Sequence, residues 1–419
     1  MNGKFKYLIG CCGLMLAACS SDDVVKDVEP IIDPEPAPQE VVEFNLSAAE
    51  LSVARQTASF AADFFKAVND QQKDESGNMV VSPLSAQILL SMLANAGSDA
   101  AAREIADVMG CTDMDALNSL CRKYLLGMPS IDEDVAMALA NSVWYNKIYN
   151  LLPEFSTTLN YNFGTEALQR DFTNSIPVVA EINQWCADHT NNLIDHIVDV
   201  IPATTAAFFA NAIYFKGGWT IPFEEKSTTQ ATFYGTERQA EVPMMKMTSD
   251  AYYKAGDKYQ AVKLSFGNKS FSVWFVLPEQ GADINGFIPS FNAAELNSDY
   301  RVKMVDLTLP KFKFATDEIE LRDALCAVGV KEIFKGDNMK MFTTTFSGDL
   351  KVSQKSTIEF NEEGAEASSV TWGQWDNAVN PGDIPTIEPV KVTFDRPFLF
   401  FITEQQTGAC LMAGKIAQL

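Results

Sequence analysis

Two strand-like runs near the C-terminus, KVSQKSTIEF at 351–360 and VKVTFDRPFLFFIT at 390–403, flank NEEGAEASSVTWGQWDNAVNPGDIP, Asn361 to Pro385. This tract carries small residues first, then two tryptophans, then Gly and Pro, with no helical or strand period of burial. A chain that places so long a tract between two apolar strands must hold it outside its core. At a period of two, Ala365, Ala367, Ser369 and Thr371 share one face, and Glu366, Ser368 and Val370 the other. The first face is entirely small and uncharged. Such a segment can enter a sheet as an added strand, and Gly364 before it permits the backbone turn that entry requires. Read by itself, the segment also fits a solvated Ala/Ser linker.

The remainder of the chain reads as α+β. Apolar residues at three- and four-residue spacing predict a helix over Ser47–Gln72. NMVVSPLSAQILLSMLANAG, Asn78 to Gly97, predicts a short strand and then a helix capped by Ser82 with Pro83 in its first turn. Further helices are expected near 100–109, 114–127, 176–190 and 316–328. Strands are expected near 134–146, 205–216, 241–254, 259–277, 301–314, 350–360 and 390–416. Helices dominate the first half and strands the second, without a repeat, so an alternating parallel sheet is not expected.

The N-terminus carries Lys4 and Lys6 and then an apolar run from Tyr7 to Ala18, too short to span a bilayer. Its end, Leu16-Ala17-Ala18-Cys19, resembles a bacterial lipobox. Residues 1–18 are therefore expected to be a lipoprotein signal peptide and Cys19 the acylated residue, with Ser20 and the acidic start suggesting outer-membrane, outward-facing placement. Residues 19–43 are acidic and proline-rich and lack aromatics, the composition of a stiff tether. At about 3.1 Å per residue its reach is roughly 70 Å. The folded part is expected to span 44–419.

Composition excludes several functions. A net charge of −23 leaves nothing to neutralise phosphates, so nucleic acid is not an expected partner. Cys111, Cys121, Cys186, Cys326 and Cys410 show no CxxC spacing and are expected to be buried thiols rather than disulfides or zinc ligands. His189 and His196 are the only histidines and have no carboxylate at a metal-binding spacing. No nucleophile elbow, P-loop or dinucleotide fingerprint occurs, so neither catalysis nor a cofactor is expected.

Five segments in order carry a resemblance to the serpin family across 44–419. NMVVSPLSAQILLSMLANAG is similar to its shutter motif, and NAIYFKGGWTIPF, Asn211 to Phe223, to its most diagnostic signature. LRDALCAVGVKEIF, NEEGAEASSVT and FDRPFLFFITEQQTGACLMAGKI resemble the helix-and-turn before the central strand, the reactive-loop hinge and the C-terminal strands. The resemblance implies a fold with three β-sheets, about nine helices and an exposed reactive-centre loop. It implies a monomeric suicide inhibitor whose partner is a target protease. The protease cleaves the loop and is trapped as an acyl-enzyme while the hinge enters the central sheet.

On that resemblance the hinge is Glu362, Glu363, Gly364, Ala365, Glu366, Ala367, Ser368 and Ser369. Ala365 stands where inhibitory members usually carry Thr or Ser. Ser82, Ser85 and Asn211 match the shutter, Gln354 replaces the histidine that often completes it, and Trp219 matches the tryptophan where the loop first enters. The family spacing from Gly364 puts the cut at Ala378–Val379, which suits elastase-like or subtilisin-like proteases. Counting back from Arg396 gives Thr386 instead, so the loop is longer than usual on its distal side. Asn377 would suit an asparagine-specific cysteine protease and Trp375 a chymotrypsin-like one. A non-inhibitory carrier or chaperone, and a surface binding lipoprotein, remain the alternatives.

Overall fold

The computed structural model describes residues 44–72, 77–111, 113–190, 192, 194–316, 318–344, 348–364 and 388–419. The expected signal peptide, the tether, Cys19 and every residue from Ala365 to Thr386 named above lie outside the described residues.

The helices are α1 (Ala48–Gln56), α2 (Ala58–Gln71), α3 (Pro83–Ala96), α4 (Asp99–Val108), α5 (Met114–Gly127), α6 (Pro153–Phe163), α7 (Ser175–His189), α8 (Ile284–Ser290) and α9 (Arg322–Val328). A capping box starts α1, with the Ser47 hydroxyl on Glu50 N–H and the Glu50 carboxylate on Ser47 N–H. The single helix expected over Ser47–Gln72 is interrupted at buried Thr57, whose hydroxyl turns back onto the Ala54 carbonyl at 3.2 Å. Helix α9 is shorter than expected because residues 319 and 320 pair as a strand before it, and Gly329 at φ +115° ends it. Neither α6 nor α8 is anticipated above. Pro153 in the first turn and Gly164 at φ +58° bound α6, whereas α8 contains Pro289 and hides its signal.

The strands are β1 (Met79–Val81), β2 (Val135–Asn146), β3 (Ala167–Arg170), β4 (Thr205–Gly217), β5 (Thr229–Tyr234), β6 (Gln239–Gly256), β7 (Tyr259–Phe266), β8 (Phe271–Pro278), β9 (Arg301–Pro310), β10 (Phe312–Ala315), β11 (Ile319–Glu320), β12 (Asp349–Phe360), β13 (Val390–Thr393), β14 (Phe398–Glu404) and β15 (Cys410–Ile416). Where three sheets are expected, hydrogen bonding joins the described strands into two networks. A nine-stranded network runs β1-β15-β14-β8-β7-β6-β9-β13 with β5 beside β6. Two layers merge here because β6 is continuous over 18 residues, pairing β5 through its first six residues and β7 through its last five. The six-stranded sheet runs β10-β12-β4-β2-β3, with β11 also on β12. The run expected at 301–314 changes sheets between Pro310 and Phe312, and that at 259–277 turns back through Gly267 and Lys269, both at positive φ.

Strand β4 is buried along nearly its whole length, as its almost unbroken apolar sequence requires of a strand covered on both faces. On one face its residues join the main core, which holds nine residues of α3. On the other, Phe208, Ala210 and Ala212 pack with Trp144, Ile182 and Cys186 beneath α7.

Candidate functional site

At the centre of the six-stranded sheet β4 and β12 lie side by side and run parallel, with Leu350 opposite Ala207 and the register continuous to Thr357 opposite Tyr214. Their outer neighbours β2 and β10 are antiparallel to them. A parallel ladder is slightly weaker per residue than an antiparallel one. The seam is also short of polar contacts. Ser85 Oγ, Asn211 Oδ1, Ser356 Oγ and Thr357 Oγ1 are buried there or just beneath it, and Asn141 Nδ2 beside it on β2, without a hydrogen-bond partner among the described residues.

Immediately after β12 the backbone folds into a tight turn. Asn361 and Gly364 exchange N–H···O=C bonds of 3.1 and 3.2 Å, and Asn361 Oδ1 accepts from Glu363 N–H at 3.1 Å. The turn is docked on the segment after β4: Trp219 N–H donates to Glu363 O at 3.0 Å, Phe223 N–H to Glu362 O at 2.8 Å, and Trp219 Nε1–H to Asn361 O at 2.9 Å. Gly364 sits at φ +99°, and a Cβ on it would fall 2.3 Å from Gly217 O, so only glycine fits. The Trp219 indole stacks between Phe266 and Phe360, with ring centroids 4.7 and 5.7 Å away.

Glu362 anchors this turn. Its buried carboxylate accepts from Lys311 Nζ at 2.7 Å and from Thr228 Oγ1 at 2.8 Å. Burial opposes its ionisation, yet these hydrogen bonds prevail and hold the carboxyl below its usual range. The hydrogen bond to Glu362 in turn raises Lys311.

Under the seam, the Gln354 amide clamps Ser82 at both ends. Ser82 N–H donates to Gln354 Oε1 at 2.7 Å, and Gln354 Nε2 donates to Ser82 O at 3.0 Å. The Ser82 hydroxyl donates to Leu411 O at 2.5 Å and accepts from Ser85 N–H at 3.1 Å, fixing the start of α3. Asn211 lies opposite Gln354 in the register but donates instead to Asn141 Oδ1 on β2, at 2.7 Å.

The structure thus brings Ser82, Ser85 and Gln354 together beneath the seam, with Asn211 above them in the same sheet. It gathers Glu362, Glu363, Gly364 and Trp219 at the end of the seam. Ser85 contributes its backbone N–H and not its hydroxyl. The sequence reading omitted Asn141, Lys311 and Thr228. Asn141, a polar residue inside the apolar run ALANSVW, carried a signal; the two partners of Glu362 carried none. The two histidines lie apart from the seam. His189 ends α7, with Nδ1 2.7 Å from Trp185 O, and His196 Nε2 bonds Asp199 beyond the helix. Cys111, Cys121 and Cys186 are buried free thiols, and Cys326 and Cys410 are half-buried.

Relatives share this architecture. The chain is 28% identical over 364 residues to Serine protease inhibitor 2 of Anopheles gambiae, covering 82% of this chain and 88% of that protein. To human neuroserpin it is 27% identical over 369 residues, covering 82% and 86%. Among solved structures, the thermophilic serpin tengpin in its native state superposes with a TM-score of 0.78 at 23% identity, covering 90% of this chain and 96% of that one. Human thyroxine-binding globulin gives 0.78 at 20% identity, covering 88% and 99%. The family model for serpins, serine protease inhibitors, matches residues 55–419. The chain belongs to the serpin family.

Proposed function

We propose that this serpin is a suicide inhibitor of endopeptidases, acting through insertion of its cleaved loop between β4 and β12. The observation that carries the reading is the bare parallel pair at the sheet centre, with a glycine turn docked at its end. A strand reversing at Gly364 would run antiparallel to both neighbours. It would replace one parallel ladder by two antiparallel ones and bring backbone and hydroxyl groups to the unsatisfied side-chain atoms of the seam. The sequence that follows Gly364 is suited to this, because Ala365, Ala367 and Ser369 are small enough for a crowded interior. The intact form is then held kinetically, by the Glu362 anchor and the Gln354 clamp.

The bond cut in this reading is Ala378–Val379, and the target an elastase-like or subtilisin-like protease. Incubation with such proteases should give an SDS-resistant complex containing both chains, and mass spectrometry of the released fragment should locate the cut. Cleavage without any complex refutes the inhibitor reading. It would favour a carrier, a reading lent weight by the likeness to thyroxine-binding globulin. Attachment through acylated Cys19 would place the inhibitor on an outer membrane. Metabolic labelling with a fatty acid, lost in Cys19→Ser, tests that placement.

A further inference from the structure

A cleft of about 240 Å³ is lined by Thr220 and Ile221 of the Trp219–Phe223 segment and walled by β6, β7 and the first residues of β9. Its apolar lining comes from Ile221, Met247, Tyr252, Leu264 and Val302. Around its mouth the surface stays apolar: Val302 is 57% exposed, and Tyr252 meets Tyr300 edge-on at 5.2 Å. Exposed apolar side chains grouped around a concavity mark a binding site more than a solvated face.

Two cations line the same cleft in a chain whose net charge is −23. Lys263 is half-buried, its ammonium 5.7 Å from the Tyr252 ring centroid and 5.9 Å from that of Trp274. Its hydrogen-bond partner is the neutral amide oxygen of Gln405, and among the described residues it forms no ion pair. Burial pulls it below the usual lysine range. A desolvated cation without a counter-charge is stabilised by an incoming anion. Lys269 reaches the cleft from the turn between β7 and β8. Asp250 is the acidic residue of the lining, so a second negative group on the ligand would be repelled.

We propose that this cleft binds a small amphipathic anion, with one carboxylate or sulfonate at Lys263 and Lys269 and a flat apolar body against Ile221, Met247, Tyr252 and Val302. Thr220 lies on the cleft wall, held by its N–H to Ser265 O at 2.9 Å and its hydroxyl to Gly267 O at 2.8 Å. The next residue back, Trp219, holds Glu363. A ligand that stiffens Thr220 and Ile221 therefore stabilises the docked hinge and slows insertion, a coupling that rests on the inhibitory reading.

The probe is 8-anilinonaphthalene-1-sulfonate, titrated by fluorescence into the intact full chain, Lys263→Met and Val302→Asp. Saturable one-to-one binding is expected, weakened roughly 10- to 100-fold by Lys263→Met as a charge-assisted contact is lost. Val302→Asp, on an exposed position that folding does not need, should weaken it comparably. Affinity unchanged in both variants overturns the site. In the second arm, saturating probe should slow formation of the protease complex, and an unchanged rate overturns the coupling. The two readings fail separately: Lys263-dependent binding in a chain that traps no protease leaves the site standing and removes the inhibitor.

Discussion

Replacing Gln354 by Ala removes both contacts that pin β12 to the backbone of Ser82, 2.7 and 3.0 Å long and buried from solvent. Among the described residues the Ser82 N–H is then left in the core without a partner, whereas Ser82 O keeps the Ala86 N–H at 3.1 Å. A buried polar group left unpaired costs about 1–3 kcal/mol and the second lost hydrogen bond about 0.5–1.5 kcal/mol, so the intact form should lose ~1.5–4.5 kcal/mol. At roughly 1.5 °C per kcal/mol for a chain of this size, the melting temperature should fall by ~2–7 °C in a circular-dichroism scan. The same change weakens the closed seam, so the half-life of inhibitory activity on mild heating should shorten. Gln354→His provides the control. A neutral imidazole can accept from Ser82 N–H, but a protonated one cannot, so this variant should lose stability as pH falls through about 6.5 while the parent does not. If Gln354→Ala melts within ~1 °C of the parent and keeps its half-life, the clamp is not what holds β12.

Two further predictions concern the hinge and the cut. The Glu362 carboxyl is depressed in the folded chain, so its ionised form favours the docked turn; that contribution is complete above the ordinary glutamate value near 4.5 and is lost as pH falls through the lowered folded value. The difference in stability between parent and Glu362→Gln should therefore shrink on acidification below pH 4.5 in urea titrations, and a constant difference contradicts the anchor. Cleavage in the 365–385 tract should raise the melting temperature by ~10 °C or more, because an added strand of about eight residues supplies a second ladder worth ~1 kcal/mol per hydrogen bond. Identical melting of nicked and intact chains contradicts insertion.

Much of the fold was legible because its determinants are local. Ser82 and Pro83 announce the start of α3, and the apolar run of β4, broken only by Asn211 between Thr205 and Lys216, announces a buried strand. The division of the strands into networks was not legible, since it depends on β6 crossing from one layer to another and on the chain changing sheets after Pro310. At the site, glycine at 364 and small residues after it could be read directly, because backbone strain and side-chain volume are properties of single positions. The pairing of Glu362 with Lys311 and Thr228, and of Asn211 with Asn141, could not. These partners are distant in sequence, and nothing in a lysine or threonine specifies which carboxylate it will meet.

The claim beneath all of this is that β4 and β12 must part. Ala210 and Ser353 face each other across that seam, close enough in a parallel register for a disulfide. In the double variant Ala210→Cys with Ser353→Cys, the oxidised protein should be cleaved by its protease as a plain substrate, with no SDS-resistant complex, and reduction should restore trapping. A locked seam that still traps protease as well as the parent would contradict the account.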